Sequence, residues 1–96
     1  MSLQDLDPAI HAPKRLAAMA VLASSSDTSF QFLKEYLQLA DSDLSKQMSA
    51  LEKSGYVKTT KYGRGRGAMT TFNLTRRGRT AYREHRAALQ ALLGDE

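Results

Sequence analysis

Residues Asp41 to Ser54 have apolar side chains at the period of an α-helix, and this stretch constrains the fold more than any other. At about 100° per residue, Leu44, Met48 and Leu51 fall on one face with the i, i+4, i+7 spacing of a core-facing stripe. The opposite face carries short hydroxyls and two lysines, namely Ser42, Ser45, Lys46, Ser49 and Lys53. This face has no acidic and no large apolar residue. Such a surface suits a nucleic-acid groove, since small side chains allow close approach while Lys and Ser donate to phosphates and base edges.

The residues after this helix predict a β-hairpin. Gly55 is a typical helix-ending glycine, and the Thr- and Tyr-rich segments 56–62 and 69–74 have the composition of strands. Between them lies G-R-G-R-G, Gly63 to Gly67, whose glycines permit positive φ and leave two arginines at the tip. A nucleotide-binding loop is excluded, because this segment joins two strands and no Gly-Lys-Ser/Thr follows. The alternative is a flexible turn without a ligand.

The order of these pieces resembles a known family. The segment L-K-E-Y-L-Q-L-A-D-S-D-L-S-K-Q-M-S-A-L-E-K-S-G-Y-V-K, then G-R-G-R-G, then L-T-R-R-G-R, resembles small winged helix-turn-helix transcriptional regulators related to the MarR group. The resemblance extends over about residues 8–93. It implies an α+β, mainly α, fold with a β-hairpin wing and a C-terminal helix, and double-stranded DNA as the partner.

The resemblance also implies which residues contact DNA. Recognition helix 41–54 would enter the major groove, and wing 63–67 would contact the minor groove or the backbone. The candidate DNA-binding residues are Ser42, Asp43, Ser45, Lys46, Gln47, Ser49, Lys53, Arg64, Arg66 and Arg76. Asp43 would accept a hydrogen bond from cytosine N4, and Gln47 lies at the edge of the face.

One residue departs from the family pattern. Relatives have Ser or Thr at the position of Ala40, where the hydroxyl caps the recognition helix. In this chain either Asp41 supplies the cap or the helix start is weaker by about 1 kcal/mol. The carboxylates of Asp41 and Asp43 interact favourably with the positive end of the helix dipole, but they repel phosphates. The first turn is therefore a poor phosphate contact.

The remaining elements give the domain organisation. Residues 1–12 are expected to be a partly ordered arm, and 13–93 the winged-helix domain. Pro13 suits the first turn of a helix that continues through the apolar run 16–23. Thr28 and Gln31 fit a capping box for a helix over 30–37, and Thr75 fits the cap of a last helix over 75–93.

The terminal helix joins the first helix in the dimer interface of relatives, which implies a homodimer. The candidate interface residues are Leu16, Met19, Tyr82, Leu89, Leu92 and Leu93. The alternative is that the first helix is core of the monomer and that the last helix packs on it within one chain.

Composition narrows the class of protein. Ninety-six residues make one domain with a modest core. Cysteine is absent, no apolar run approaches the ~20 residues of a membrane span, and the acidic start is unlike a secretory signal, so we expect a cytoplasmic protein. Residues 1–55 have five Lys/Arg and seven Asp/Glu, whereas residues 56–96 have nine Lys/Arg and three Asp/Glu. This asymmetry favours a polyanionic partner.

Enzymatic function is not expected, because no activated nucleophile, carboxylate pair or metal cluster can be assembled from these residues. His11 and His85 are far apart in sequence, with no carboxylate cluster near either, so neither a metal nor another cofactor is expected. MarR-like relatives often sense small molecules, but nothing in this sequence identifies an effector. The alternative function is a winged-helix protein-interaction adaptor without DNA specificity.

Overall fold

A computed structural model describes residues 3–94, apart from the side chain of Arg66. It contains four α-helices and three β-strands, with single 3-10 turns at Leu3–Asp5 and Gly65–Gly67. In chain order the elements are α1 (Pro13–Ala23), β1 (Thr28–Ser29), α2 (Phe30–Leu37), α3 (Asp41–Lys53), β2 (Val57–Tyr62), β3 (Met69–Leu74) and α4 (Arg76–Leu93). The fold is therefore mainly α with a small sheet, as predicted.

The sheet is antiparallel, with the strand order β1-β3-β2. Strands β2 and β3 form the predicted hairpin, in a register that pairs Val57 with Leu74 and Tyr62 with Met69. The two-residue strand β1 was not predicted, because two residues are too few to show an alternating pattern. Thr28 does not cap α2, because its hydroxyl is buried and forms no hydrogen bond within the described residues. Ser29 does so instead, by accepting a hydrogen bond from the Phe32 N–H at 3.0 Å.

The hydrophobic core is built from α1, α2, α3, β2, β3 and the N-terminal segment, with Ala81 and Tyr82 of α4 packed against it. Leu44, Met48 and Leu51 of α3 are at most 2% exposed, which confirms the predicted stripe. They belong to a single cluster whose other buried members are Ile10, Ala18, Met19, Leu22, Leu33, Val57, Phe72 and Leu74. Burying each large aliphatic side chain contributes about 1.5–3 kcal/mol to the stability of the fold.

Two predictions about the N-terminal third need correction. Met19 is 0% exposed and packs within the chain's own core, so it has no surface to offer a second subunit. Residues 3–12 are not a separate arm, since Ile10 is also 0% exposed and belongs to the same core. A single large aliphatic residue in the run Pro-Ala-Ile-His-Ala gives no periodic signal, and the sequence therefore did not reveal that this segment packs on the domain.

The N-terminal segment contacts α4 through two histidines. The Asp7 N–H donates to His85 Nδ1 at 3.1 Å, and His11 Nδ1 lies 3.2 Å from His85 Nε2. Because Nδ1 of His85 accepts a hydrogen bond, its proton is on Nε2 and is donated to His11. Asp7 also accepts a hydrogen bond from the Tyr56 hydroxyl, which raises the pKa of Tyr56 above 10.0. The two histidines, although far apart in sequence, thus lie next to each other in the folded chain.

We expect the free energy of unfolding to decrease as the pH is lowered from about 7 to 5. Burial, and then the electrostatic interaction with the neighbouring His11, lower the pKa of His85 below its ordinary 6.5. The unfolded chain therefore binds this proton more readily than the folded chain. The stabilisation is complete above the ordinary pKa and is lost as the pH falls towards the folded pKa. Urea denaturation at several pH values measures the effect.

His85→Gln is the control for this prediction, because an amide can form hydrogen bonds but does not titrate. Its stability should depend less on pH over this range than that of the wild-type protein. An equal dependence in both proteins would mean that a group other than His85 is responsible.

Candidate nucleic-acid interface

The outer face of α3 is open to solvent. Ser42, Ser45, Lys46, Ser49 and Lys53 are all exposed. Within the described part of the chain, their side chains form neither hydrogen bonds nor ion pairs, so their donors are available to another molecule. The predicted division of α3 into a leucine face and a serine-lysine face is confirmed.

Asp43 and Gln47 differ from the other predicted DNA-binding residues of α3. The Asp43 carboxylate pairs with Lys14, and Gln47 Nε2 donates to its other oxygen at 2.9 Å. Gln47 Oε1 in turn accepts from Arg15 Nη1 at 2.9 Å. Both residues are half-buried against α1. The hydrogen bond from Lys14, and then that from Gln47, lower the pKa of Asp43.

The first turn of α3 lacks a side-chain cap. Ala40 is the N-cap residue and has an extended backbone. It forms no side-chain hydrogen bond, because a methyl group cannot accept one. The Asp41 carboxylate forms an ion pair with Lys34 of α2 at 2.9 Å. Asp41 therefore does not supply the cap, and the start of α3 depends on packing and on ion pairs with α1 and α2.

The hairpin places its glycine-rich tip at the end of two paired strands. Gly63 and Gly65 have φ of +75° and +62°, which L side chains rarely adopt. Arg64 is exposed at this tip, whereas the side chain of Arg66 lies outside the described residues. The two glycines thus bend the chain sharply enough to present Arg64 at the far end of the wing.

A polar cleft of about 250 Å³ separates α3 from the wing. Its lining includes Ser45 and Ser49 from the helix, Lys61 and Thr70 from the strands, and Glu52. Lys61 was not among the residues predicted to bind DNA. Strand alternation could have identified it, because Lys61 lies on the same face of β2 as Val57 and Thr59.

The start of α4 is fixed to the turn that follows α3. Thr75 caps α4, as predicted, by accepting from the Gly78 N–H at 2.9 Å, and its hydroxyl donates to the Gly55 carbonyl at 2.6 Å. The guanidinium carbon of Arg77 lies 5.8 Å from the centroid of the Tyr56 ring. Arg76 is exposed beside this turn and is available to an anion.

The candidate dimer residues that retain exposed surface lie mostly at the end of α4. Leu92 is 37% exposed and Leu93 is 72% exposed, while Leu89 is half-buried. Leu16 and Tyr82 are also half-buried and pack against the chain's own core. An apolar end of α4 is thus open to contact with another surface.

Two other features, a metal-binding cluster and a membrane-spanning helix, are absent from residues 3–94. No cluster of three or more His, Asp or Glu could bind a metal ion there. None of the helices in this range is long and apolar enough to cross a membrane.

Comparison with known proteins agrees with this geometry. Residues 14–93 match the family described as winged helix DNA-binding domain. An uncharacterised protein, MJ0432 of Methanocaldococcus jannaschii, is 31% identical over 71 residues, which are 74% of this chain and 77% of that protein.

Solved structures share the fold. A transcriptional regulator homologue from Pyrococcus horikoshii has a TM-score of 0.83 and 26% identity, over 88% of this chain and 84% of that chain. FabT of Streptococcus pneumoniae, solved in complex with DNA, has a TM-score of 0.65 and 17% identity, over 97% of this chain and 57% of that chain. The family match over residues 14–93 and the likeness to the Pyrococcus horikoshii structure show that the chain belongs to the winged helix DNA-binding domain family and is a winged-helix transcriptional regulator.

Proposed function

We propose that this protein is a homodimeric transcriptional regulator that binds double-stranded DNA in a sequence-specific manner. The single observation that carries the proposal is the open serine-lysine face of α3, which borders the cleft beneath the arginine-tipped wing. In this arrangement α3 enters a major groove, and the wing contacts the adjacent minor groove or backbone. The structure of FabT with DNA supports the proposal, because that protein has the same fold.

The division of labour among the side chains follows from their chemistry. Lys46, Lys53, Arg64, Arg66 and Arg76 would supply charge to phosphates, which gives affinity without sequence information. Ser42, Ser45 and Ser49 would face base edges, where short hydroxyls donate and accept hydrogen bonds. Lys61 would also supply charge to phosphates, since it lies in the cleft between helix and wing.

The homodimer is proposed from the end of α4. The molecule measures 48 × 25 × 20 Å, and the last turns of α4 carry Leu89, Leu92 and Leu93. Pairing two such ends would bury these leucines and relate two recognition helices by a two-fold axis. The half-sites on DNA would then lie about one helical turn apart, roughly 34 Å.

Selection of bound sites from a random duplex library tests the proposed function. We expect enrichment of a two-fold symmetric sequence whose affinity falls with salt at a log–log slope near −5, as about six phosphate contacts require. The alternative of a protein-interaction adaptor predicts no enrichment and no duplex binding at about 0.15 M salt. That outcome would reject the proposed function.

Replacing Leu89 and Leu92 with Glu should convert the dimer to monomers in sedimentation experiments, because the charges would have to be buried at the interface. Arg83→Glu is the control, since Arg83 is exposed on α4 and its replacement lowers the net charge by the same two units. This control should remain dimeric. A dimer that persists in the leucine variant would place the interface elsewhere.

A further inference from the structure

The first turn of α3 has an electrostatic conflict with a DNA partner. Asp41 and Asp43 lie at the end of the helix where phosphates would approach, and each carboxylate repels them. In the folded chain each carboxylate is paired with a lysine from another helix, Asp41 with Lys34 and Asp43 with Lys14. The first turn therefore presents two neutral pairs instead of two negative charges.

The pair formed by Asp43 is part of a longer chain of hydrogen bonds. The Arg15 side chain donates to the Ala9 carbonyl at 2.6 Å through Nε and to Gln47 at 2.9 Å through Nη1. Gln47 then donates to Asp43, whose other oxygen is occupied by Lys14. Two adjacent cations of α1 thus connect the N-terminal segment to two neighbouring turns of α3.

Stability alone is a weak explanation for the pair of Lys14 and Asp43. The two side chains are 50% and 28% exposed, and ion pairs with such exposure contribute little because water screens them. Their position is more informative, because Asp43 lies on the helix that the proposed function places in the major groove. There an unpaired carboxylate would act directly on DNA affinity.

We propose that Lys14 is a positioning residue for DNA recognition, which neutralises Asp43 and, with Arg15, keeps Asp43 and Gln47 bound to α1. Base contacts are then made by the exposed serines of α3, and Asp43 and Gln47 make none. This inference rests on the proposed DNA-binding function. It differs from the sequence-based interpretation, in which Asp43 and Gln47 contacted bases.

The test compares Lys14→Met, Asp43→Asn and the double variant for binding to the duplex selected by the wild-type protein. Lys14→Met should bind roughly three- to tenfold more weakly, as expected for one uncovered charge near a phosphate. Asp43→Asn should bind as well as the wild type or more tightly. The double variant removes both charges and should return to within about twofold of the wild type. Lys34→Met with Asp41→Asn is the matched pair, and it should also bind like the wild type.

A second measurement repeats the library selection with Asp43→Asn and with Ser45→Ala. The selected sequence should be unchanged for Asp43→Asn, whereas Ser45→Ala should relax the preference at one base pair. Asparagine at a position that contacts a base would favour adenine instead of cytosine, so a direct contact would be visible. Melting temperatures should confirm that all variants are folded.

Two results would overturn the inference. A double variant as weak as Lys14→Met would mean that Lys14 contacts a phosphate itself. A changed base preference in Asp43→Asn would mean that Asp43 contacts a base. Failure of the proposed function gives a different result, because the wild-type protein would then select no duplex at all.

Discussion

Gly78→Ala is expected to lower the free energy of unfolding by about 3 kcal/mol or more, the upper range for overpacking a core. A Cβ atom at this position would lie 2.1 Å from the Tyr56 carbonyl oxygen and 2.9 Å from its carbon. Both are backbone atoms, so no side chain can rotate away to make room. The first turn of α4 would have to move off the turn that follows α3. That movement would break the bonds from the Thr75 N–H to Tyr56 and from its hydroxyl to Gly55.

Helix propensity predicts the opposite sign for this substitution, because Ala in an exposed helix is favoured over Gly by about 1 kcal/mol. Urea denaturation followed by circular dichroism distinguishes the two. Gly67→Ala is the control, since nothing lies within 4 Å of the position that its Cβ would take and its φ is not positive. A Gly78→Ala variant as stable as the wild type would show that α4 and the turn do not approach closely.

Replacing Arg64 and Arg66 with Ala should have the largest effect on DNA binding. If each arginine contacts one phosphate, the salt slope should decrease in magnitude by about 2, and affinity at 0.15 M salt should fall about 30-fold. The loss should be similar for selected and unrelated sequences, because these contacts carry no direct sequence information. Fluorescence anisotropy over a range of salt concentrations measures both quantities.

Arg83→Ala with Arg86→Ala is the matched control for this experiment. It removes the same charge from exposed positions on α4, away from the wing. We expect a much smaller change in slope from this pair. Equal effects of the two pairs would indicate that net charge, and not the wing, controls binding.

The sequence did not determine which surface buries the first helix. The apolar run 16–23 was compatible with core or with a dimer interface, since its helix is apolar nearly all round. Met19 and Leu22 turned out to be fully buried within the chain, whereas Ala20 is exposed. Periodicity predicts which residues avoid water, but it does not specify which surface covers them.

Three features followed from the sequence alone, because they depend on neighbouring residues. The apolar stripe of α3, the cap at Thr75 and the glycine-rich turn of the wing are all local, since backbone geometry and side-chain spacing decide them. Which distant groups meet depends instead on tertiary packing. The contact of Lys14 with Asp43 spans 29 residues and that of Asp7 with His85 spans 78. Such contacts are set by how the helices pack, and they changed Asp43 and Gln47 from proposed base contacts into intrachain partners.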